Sequence, residues 1–183
     1  MLNEENRKLL KDLALRSIKN GLDTGHALVI DPDEFPPELR EHKATFVTLH
    51  RHQQLRGCIG MLKPMRPLAE DIAQNAWSAA FRDPRFSPLT RDEAEDLDIH
   101  ISILGEPSAM EFSDEQDLVE QIRPGVDGLI LEDGFNRGTF LPSVWESLPD
   151  AADFVSHLKL KAGMPQDYWS DTLKVQRYTV EEF

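Results

Sequence analysis

Hydrophobic positions along the chain switch several times between helical spacing and strict alternation. Leu9, Leu10, Leu13 and Ile18 keep helical spacing behind Asn3. That pattern predicts a helix over residues 4–20, capped by Asn3, with Glu4 and Glu5 at its positive end and Gly21 as its stop. Pro32, Pro36 and Pro37 interrupt regular structure, so residues 31–43 read as a surface loop. β-Branched and aromatic residues over 44–50 predict a strand, and residues 55–61 a second one antiparallel to it. Pro67 opens a helix to Phe81 whose buried stripe is Leu68, Ile72, Ala76, Ala79 and Ala80.

Beyond the loop 82–89, Thr90 and Glu93 have capping-box spacing for a short helix. Residues 98–104 then alternate, with Ile99, Ile101 and Ile103 on one face and Asp98, His100 and Ser102 on the other. Ser113 and Gln116 repeat the capping-box spacing before a helix that ends ahead of Pro124. Residues 128–133 and 139–141 read as a hairpin around Gly134 and Gly138. A short helix from Pro142 through Trp145, a helix over 151–162 stopped by Gly163 and a strand over 173–180 complete the chain. Short antiparallel strands set among helices predict an α+β fold, mainly an antiparallel sheet flanked by helices. No segment repeats another.

A chain of 183 residues, 40% of them hydrophobic, suits one domain, or a larger lobe with a small helical one. The net charge of −13 makes nucleic acid and anionic membrane surfaces poor partners. No run of about 18 apolar residues is present to cross a membrane. The first residues lack the basic and apolar regions of a signal peptide, and one cysteine forms no internal disulfide, so a cytoplasmic location is expected.

That cysteine, Cys58, sits in Leu55-Arg56-Gly57-Cys58-Ile59-Gly60. On a regular strand Arg56, Cys58 and Gly60 would share one face, with Leu55, Gly57 and Ile59 on the other. The Arg56 guanidinium would then favour the thiolate, and Gly60 would leave room for a ligand. The plain alternative is a buried cysteine packed as a small apolar residue between glycines. Between His50 and Arg85 six basic residues face three acidic ones, a local positive balance that suits a small anion such as phosphate or carboxylate. Asp83 and Arg85 would shape the rim, or simply pair with each other. His50, His52 and His100, with Cys58 as a fourth ligand, form a weaker metal reading, because no metal-ligand spacing is present. No metal or cofactor is assigned. His157, Trp145 and Trp169 read as structural.

The chain resembles the AMMECR (AMMECR-one) domain family. The resemblance is carried by the hexapeptide at Cys58, by Ala80-Phe81-Arg82-Asp83-Pro84-Arg85-Phe86 with Pro88-Leu89, and by Ile101-Ser102-Ile103-Leu104. Gly125-Val126-Asp127-Gly128-Leu129, Leu141-Pro142-Ser143-Val144 and Lys161-Ala162-Gly163-Met164 with Trp169 continue it in the family's order. It implies an α+β fold of two unequal lobes and names no reaction. It also implies a modification pathway shared with Memo-like proteins (relatives of extradiol dioxygenases) and radical SAM proteins as possible partners. The chain departs from the family pattern at His100, where relatives often carry an acid, and at Lys159, where many carry a second cysteine. A two-cysteine redox mechanism is therefore not expected.

Two functions follow. In one, Cys58 is a nucleophile acting on a small anionic or nucleotide-like substrate. Arg56, Gly57, Gly60, Asp83 and Arg85 would bind that substrate, and His50 or His100 would move a proton. In the other, the same groove is a scaffold that binds a partner and performs no chemistry.

Overall fold

The computed structural model describes all 183 residues, and they form two compact units. The larger comprises Met1–Leu104 with Glu181–Phe183, and the smaller Gly105–Val180. The fold is α+β, with two four-stranded sheets whose paired strands run antiparallel.

The larger unit is built on one sheet. Its strands β1 (Ala44–Arg51), β2 (Gln54–Gly60), β3 (Leu97–Leu104) and β8 (Val180–Glu182) lie in the order β2-β1-β3-β8. Helix α3 (Leu68–Phe81) covers one face of β1 and β2, and α1 (Glu4–Thr24) packs on α3. Val47, Leu49, Ile99, Ile101 and Ile103 point into this layer and are buried with Leu10, Leu13, Ile18, Leu68 and Ile72. Phe183 and Ile101 exchange main-chain hydrogen bonds, which ties the chain end to β3. A buried polar knot fastens α3 to β1. The Asp71 carboxylate accepts from the Thr45 hydroxyl at 2.6 Å and from Asn75 at 2.9 Å, and pairs with Arg66 at 3.0 Å.

Three local expectations change. Helix α1 runs through Gly21 and ends at Gly25, which has φ 78° and donates to the Gly21 carbonyl. Gly21 lies under the Trp77 and Phe81 rings, so it is the contact that lets α1 approach α3 rather than a stop. The expected loop over 31–43 holds a 3₁₀ turn at Pro32–Glu34 and the short α2 (Pro37–Arg40), which buries Leu39. The expected last strand breaks at Thr179, giving β7 (Lys174–Tyr178) to the second sheet and β8 to the first.

The smaller unit carries its own sheet instead of being only helical. Strands β4 (Ser108–Ala109), β5 (Gly128–Asp133), β6 (Asn136–Phe140) and β7 lie in the order β4-β7-β5-β6. Helices α5 (Glu115–Gln121) and α6 (Ala151–Lys161) pack together, and α6 covers β6. The cap of α5 is Asp114, not Ser113; the Ser113 hydroxyl bonds to Asp117 instead. Trp145 stacks on Phe154 at 3.8 Å between ring centres and donates its indole N–H to the Asp127 carbonyl. Lys159 is fully buried and holds Glu115 at 2.6 Å and the Gln166 carbonyl at 3.2 Å, so the side chain here is a structural cation.

Strands β1 and β2 are joined by a two-residue turn. His52 and Gln53 both have positive φ, 51° and 64°, the geometry that glycine and asparagine adopt with least strain. Replacing them by Asn-Gly is expected to stabilise the larger unit by about 1 kcal/mol, raising Tm by roughly 2–4 °C. An unchanged or lower Tm would show that this turn is not strained.

Candidate functional site

The hairpin turn pairs Arg51 with Gln54 and His50 with Leu55. Continued without interruption, that register would set Val47 opposite Cys58, and cross-strand partners share a face. Cys58 would then point into the core beside α3. The strand instead carries one extra residue: Leu49 pairs with Gly57, and Arg56 is left over as a β-bulge. From there Thr48 pairs with Cys58 and Phe46 with Gly60, so Cys58 lies on the face turned away from α3. The strict alternation expected for the hexapeptide fails at this bulge, which puts Leu55 on the face of His50 and Cys58.

That outer face brings three candidate residues together. Thr48 pairs with Cys58 on one side and with His100 on the other. The Thr48 hydroxyl donates to the Cys58 Sγ at 3.2 Å, and the thiol is half-buried. His50 and His100 stand edge to face with ring centres 5.0 Å apart. His100 Nε2 meets the Asp98 carboxylate at 2.9 Å, and that contact holds the Asp98 carboxyl below its usual range. The Nδ1 of His50 is buried without a partner. Since Thr48 stands between them, Cys58 and His100 are two strands apart, roughly 10 Å at about 4.8 Å per strand. Thr48 was not foreseen. A regular register would have placed it opposite Gly57, so only the bulge reveals it.

The other candidates lie elsewhere. Arg56 leaves the Cys58 face for α4 (Arg91–Ala94), where its guanidinium grips Glu93 at 2.9 and 3.0 Å and donates to the Ser87 carbonyl at 2.9 Å. Its side chain is 11% exposed and is committed to this ion pair, so it neither approaches the sulfur nor remains free for a ligand. The capping-box glutamate of α4 is thus the partner of the bulge residue. Gly57 faces α3, where a β-carbon would strike the Ala79 carbonyl. Over Gly60 the space belongs to the Thr45 carbonyl and the Phe46 ring. Both glycines serve close packing, and the room for a ligand expected at Gly60 is filled.

Asp83 is buried at the free edge of β2. One carboxylate oxygen accepts the Cys58 N–H at 2.9 Å, and Arg85 pairs with the same carboxylate at 2.7 Å. No group of three His, Cys, Asp or Glu side chains is placed to hold a metal ion. His52, at the exposed turn, does not join His50 and His100 in one.

The family model described as AMMECR1 matches residues 11–183. The chain belongs to the AMMECR1 family. A protein of Methanothermobacter thermautotrophicus is similar to it at 37% identity, over 98% of this chain and 94% of its own length. Protein MJ0810 of Methanocaldococcus jannaschii is 38% identical over 87% of this chain and 80% of its own. The crystal structure of the uncharacterized protein PH0010 from Pyrococcus horikoshii superposes with a TM-score of 0.87 at 36% identity, covering 99% of this chain and 92% of that one.

In this AMMECR1-family chain the arginines of the expected positive patch meet neighbouring carboxylates or a ring. Arg51 lies 3.7 Å from Asp96 and 4.0 Å from Glu93; Arg56 pairs with Glu93, Arg66 with Asp71 and Arg85 with Asp83. Arg82 sits over the Trp77 ring. Two guanidinium nitrogens near Glu93, Arg51 Nε and Arg56 Nη1, are buried without acceptors, so this cluster holds more donors than acceptors. The Arg85 side chain, helped by the Cys58 and Arg85 N–H groups and opposed by burial, holds the Asp83 carboxyl far below the usual carboxylate range. Arg56, followed by the Thr90 N–H, holds Glu93 at about 2.

Two outcomes are expected. Gly57→Ala should destabilise the larger unit by about 3 kcal/mol, because main chain rather than a flexible side chain blocks the new methyl. A loss under about 0.5 kcal/mol in chemical denaturation would contradict that packing. Both carboxyls titrate lower when folded, so the unfolded chain binds more protons in acid. The stability they contribute is complete above about pH 5 and is lost as the pH falls toward the folded value of about 2 at Glu93. Arg56→Leu should flatten this acid slope, and unfolding curves of equal slope for both proteins would reject the pairing.

Proposed function

We propose that the outer face of the β2-β1-β3 sheet is a small-molecule site at which Cys58 acts as nucleophile. The observation that carries the reading is the Thr48 hydroxyl donating to the Cys58 Sγ, on a face that also carries His50 and His100. A donor aimed at sulfur stabilises the thiolate left when the thiol gives up its proton, and the neighbouring imidazoles supply proton acceptors within the same face. Because Thr48 separates Cys58 from His100 and its hydroxyl donates to the sulfur, a proton passing from Cys58 to His100 travels by water rather than by direct contact. His50, with its unpartnered buried Nδ1, is the ring left free to accept it.

Nothing in this reading rests on a free guanidinium, because the arginines around the hexapeptide are paired or stacked. The substrate is therefore defined by an electrophilic centre for sulfur, and an anionic group on it would have to be held by other donors. The place of the chain in a modification pathway beside Memo-like or radical SAM proteins remains part of the proposal and rests on the family resemblance alone.

Alkylation by iodoacetamide tests it, because Cys58 is the only thiol. Folded protein is expected to react faster at neutral pH than the denatured chain, and Thr48→Val to slow it about fivefold, as loss of one hydrogen bond implies. A folded thiol that reacts only after denaturation would remove the nucleophile and leave the scaffold reading.

A further inference from the structure

Strand β2 is the edge of its sheet, and the outward main-chain groups of an edge strand have no strand to pair with. At Cys58 those groups are nevertheless occupied. The Cys58 N–H donates to Asp83 Oδ2 at 2.9 Å, and Arg85 Nη2 reaches the Cys58 carbonyl at 3.5 Å. Asp83 and Arg85 are joined at 2.7 Å, and Asp83 Oδ1 also accepts the Arg85 N–H and Nε, each at 3.0 Å. A carboxylate that takes the N–H and a guanidinium that gives to the C=O reproduce the pairing a further strand would provide. Phe86 adds to the clip, because both Arg56 and Arg85 lie over its ring, at 5.7 and 5.5 Å.

We propose that Asp83 and Arg85 act as a surrogate strand that fixes the Cys58 main chain and thereby keeps its sulfur under the Thr48 hydroxyl. This rests on the reading of Cys58 as a nucleophile. Asp83 and Arg85 are positioning residues in it, and both hold the Cys58 main chain. Their geometry follows from three constraints. The bulge at Arg56 turns the Cys58 side chain outward, so the strand's free edge holds its N–H and C=O. Gly57 sits against Ala79 near the end of α3, which delivers the following loop to that edge. Asp83 is buried there and is satisfied by main-chain and guanidinium donors alone.

The test combines amide hydrogen exchange at Cys58 with alkylation of its thiol in a double-mutant cycle. In Asp83→Asn, and in Arg85→Gln at its exposed partner, the Cys58 amide should exchange faster relative to Val47, which faces the core. The expected rise is about tenfold for Asp83→Asn and less for Arg85→Gln. Thr48→Val should slow alkylation in the wild type and have no further effect in Asp83→Asn, because the released strand no longer holds sulfur under the hydroxyl. Such non-additivity is what general destabilisation would not produce. Unchanged exchange at Cys58, or Thr48 and Asp83 effects that multiply independently, would overturn the proposal. A wild-type thiol that alkylates no faster than the denatured chain would instead defeat the nucleophile reading, and the exchange at Cys58 would still decide the clip by itself.

Discussion

The larger unit depends on one extra residue in β2. With Arg56 inserted, the strand pairs Thr48 rather than Val47 with Cys58, and every side chain beyond it changes face. The change exposes the thiol on the outer face, leaves Gly57 where α3 approaches most closely and sends the arginine to α4. A bulge of this kind loosens the ladder, and here it is held from both sides. Glu93 grips the extra residue, and Asp83 takes the N–H two residues further on.

These contacts also explain how an arginine-rich stretch exists in an acidic chain without forming a positive surface. Each arginine from Arg51 to Arg85 meets a carboxylate or an aromatic ring, and Glu93 of α4 and Asp96 just after it come from outside the stretch. Sulfur, hydroxyl and imidazole share the outer face with the Asp98 carboxylate and the Leu55 side chain. That set is suited to nucleophilic and proton-transfer chemistry more than to gripping an anion.

The smaller unit is organised by a separate core around Trp145, Phe154 and Leu158, and its buried cation Lys159 ties α6 to α5. Its sheet escaped the sequence reading in part because β4 is two exposed residues long and because one stretch, 174–182, supplies strands to both sheets. Alternation shows that such a stretch is extended. It does not say which sheet receives it.

The amino-acid pattern by itself determined the long helices and the main strands, the α+β class, the antiparallel pairing of β1 with β2 and the split of β3 into an isoleucine face and an Asp98-His100-Ser102 face. Those features are local: spacing, capping residues and turn formers act within a few positions of one another. Tertiary structure decided the rest, and for a specific reason. Side-chain direction on a strand has a period of two, so a single unpaired residue reverses it, and nothing local marks Arg56 as that residue. Its role follows from Glu93, which lies 37 residues away in sequence. The same holds for Thr48 beside the thiol, for the Phe46 ring over Gly60 and for the Asp83 carboxylate at the Cys58 N–H. Each depends on a partner that only the folded chain brings near.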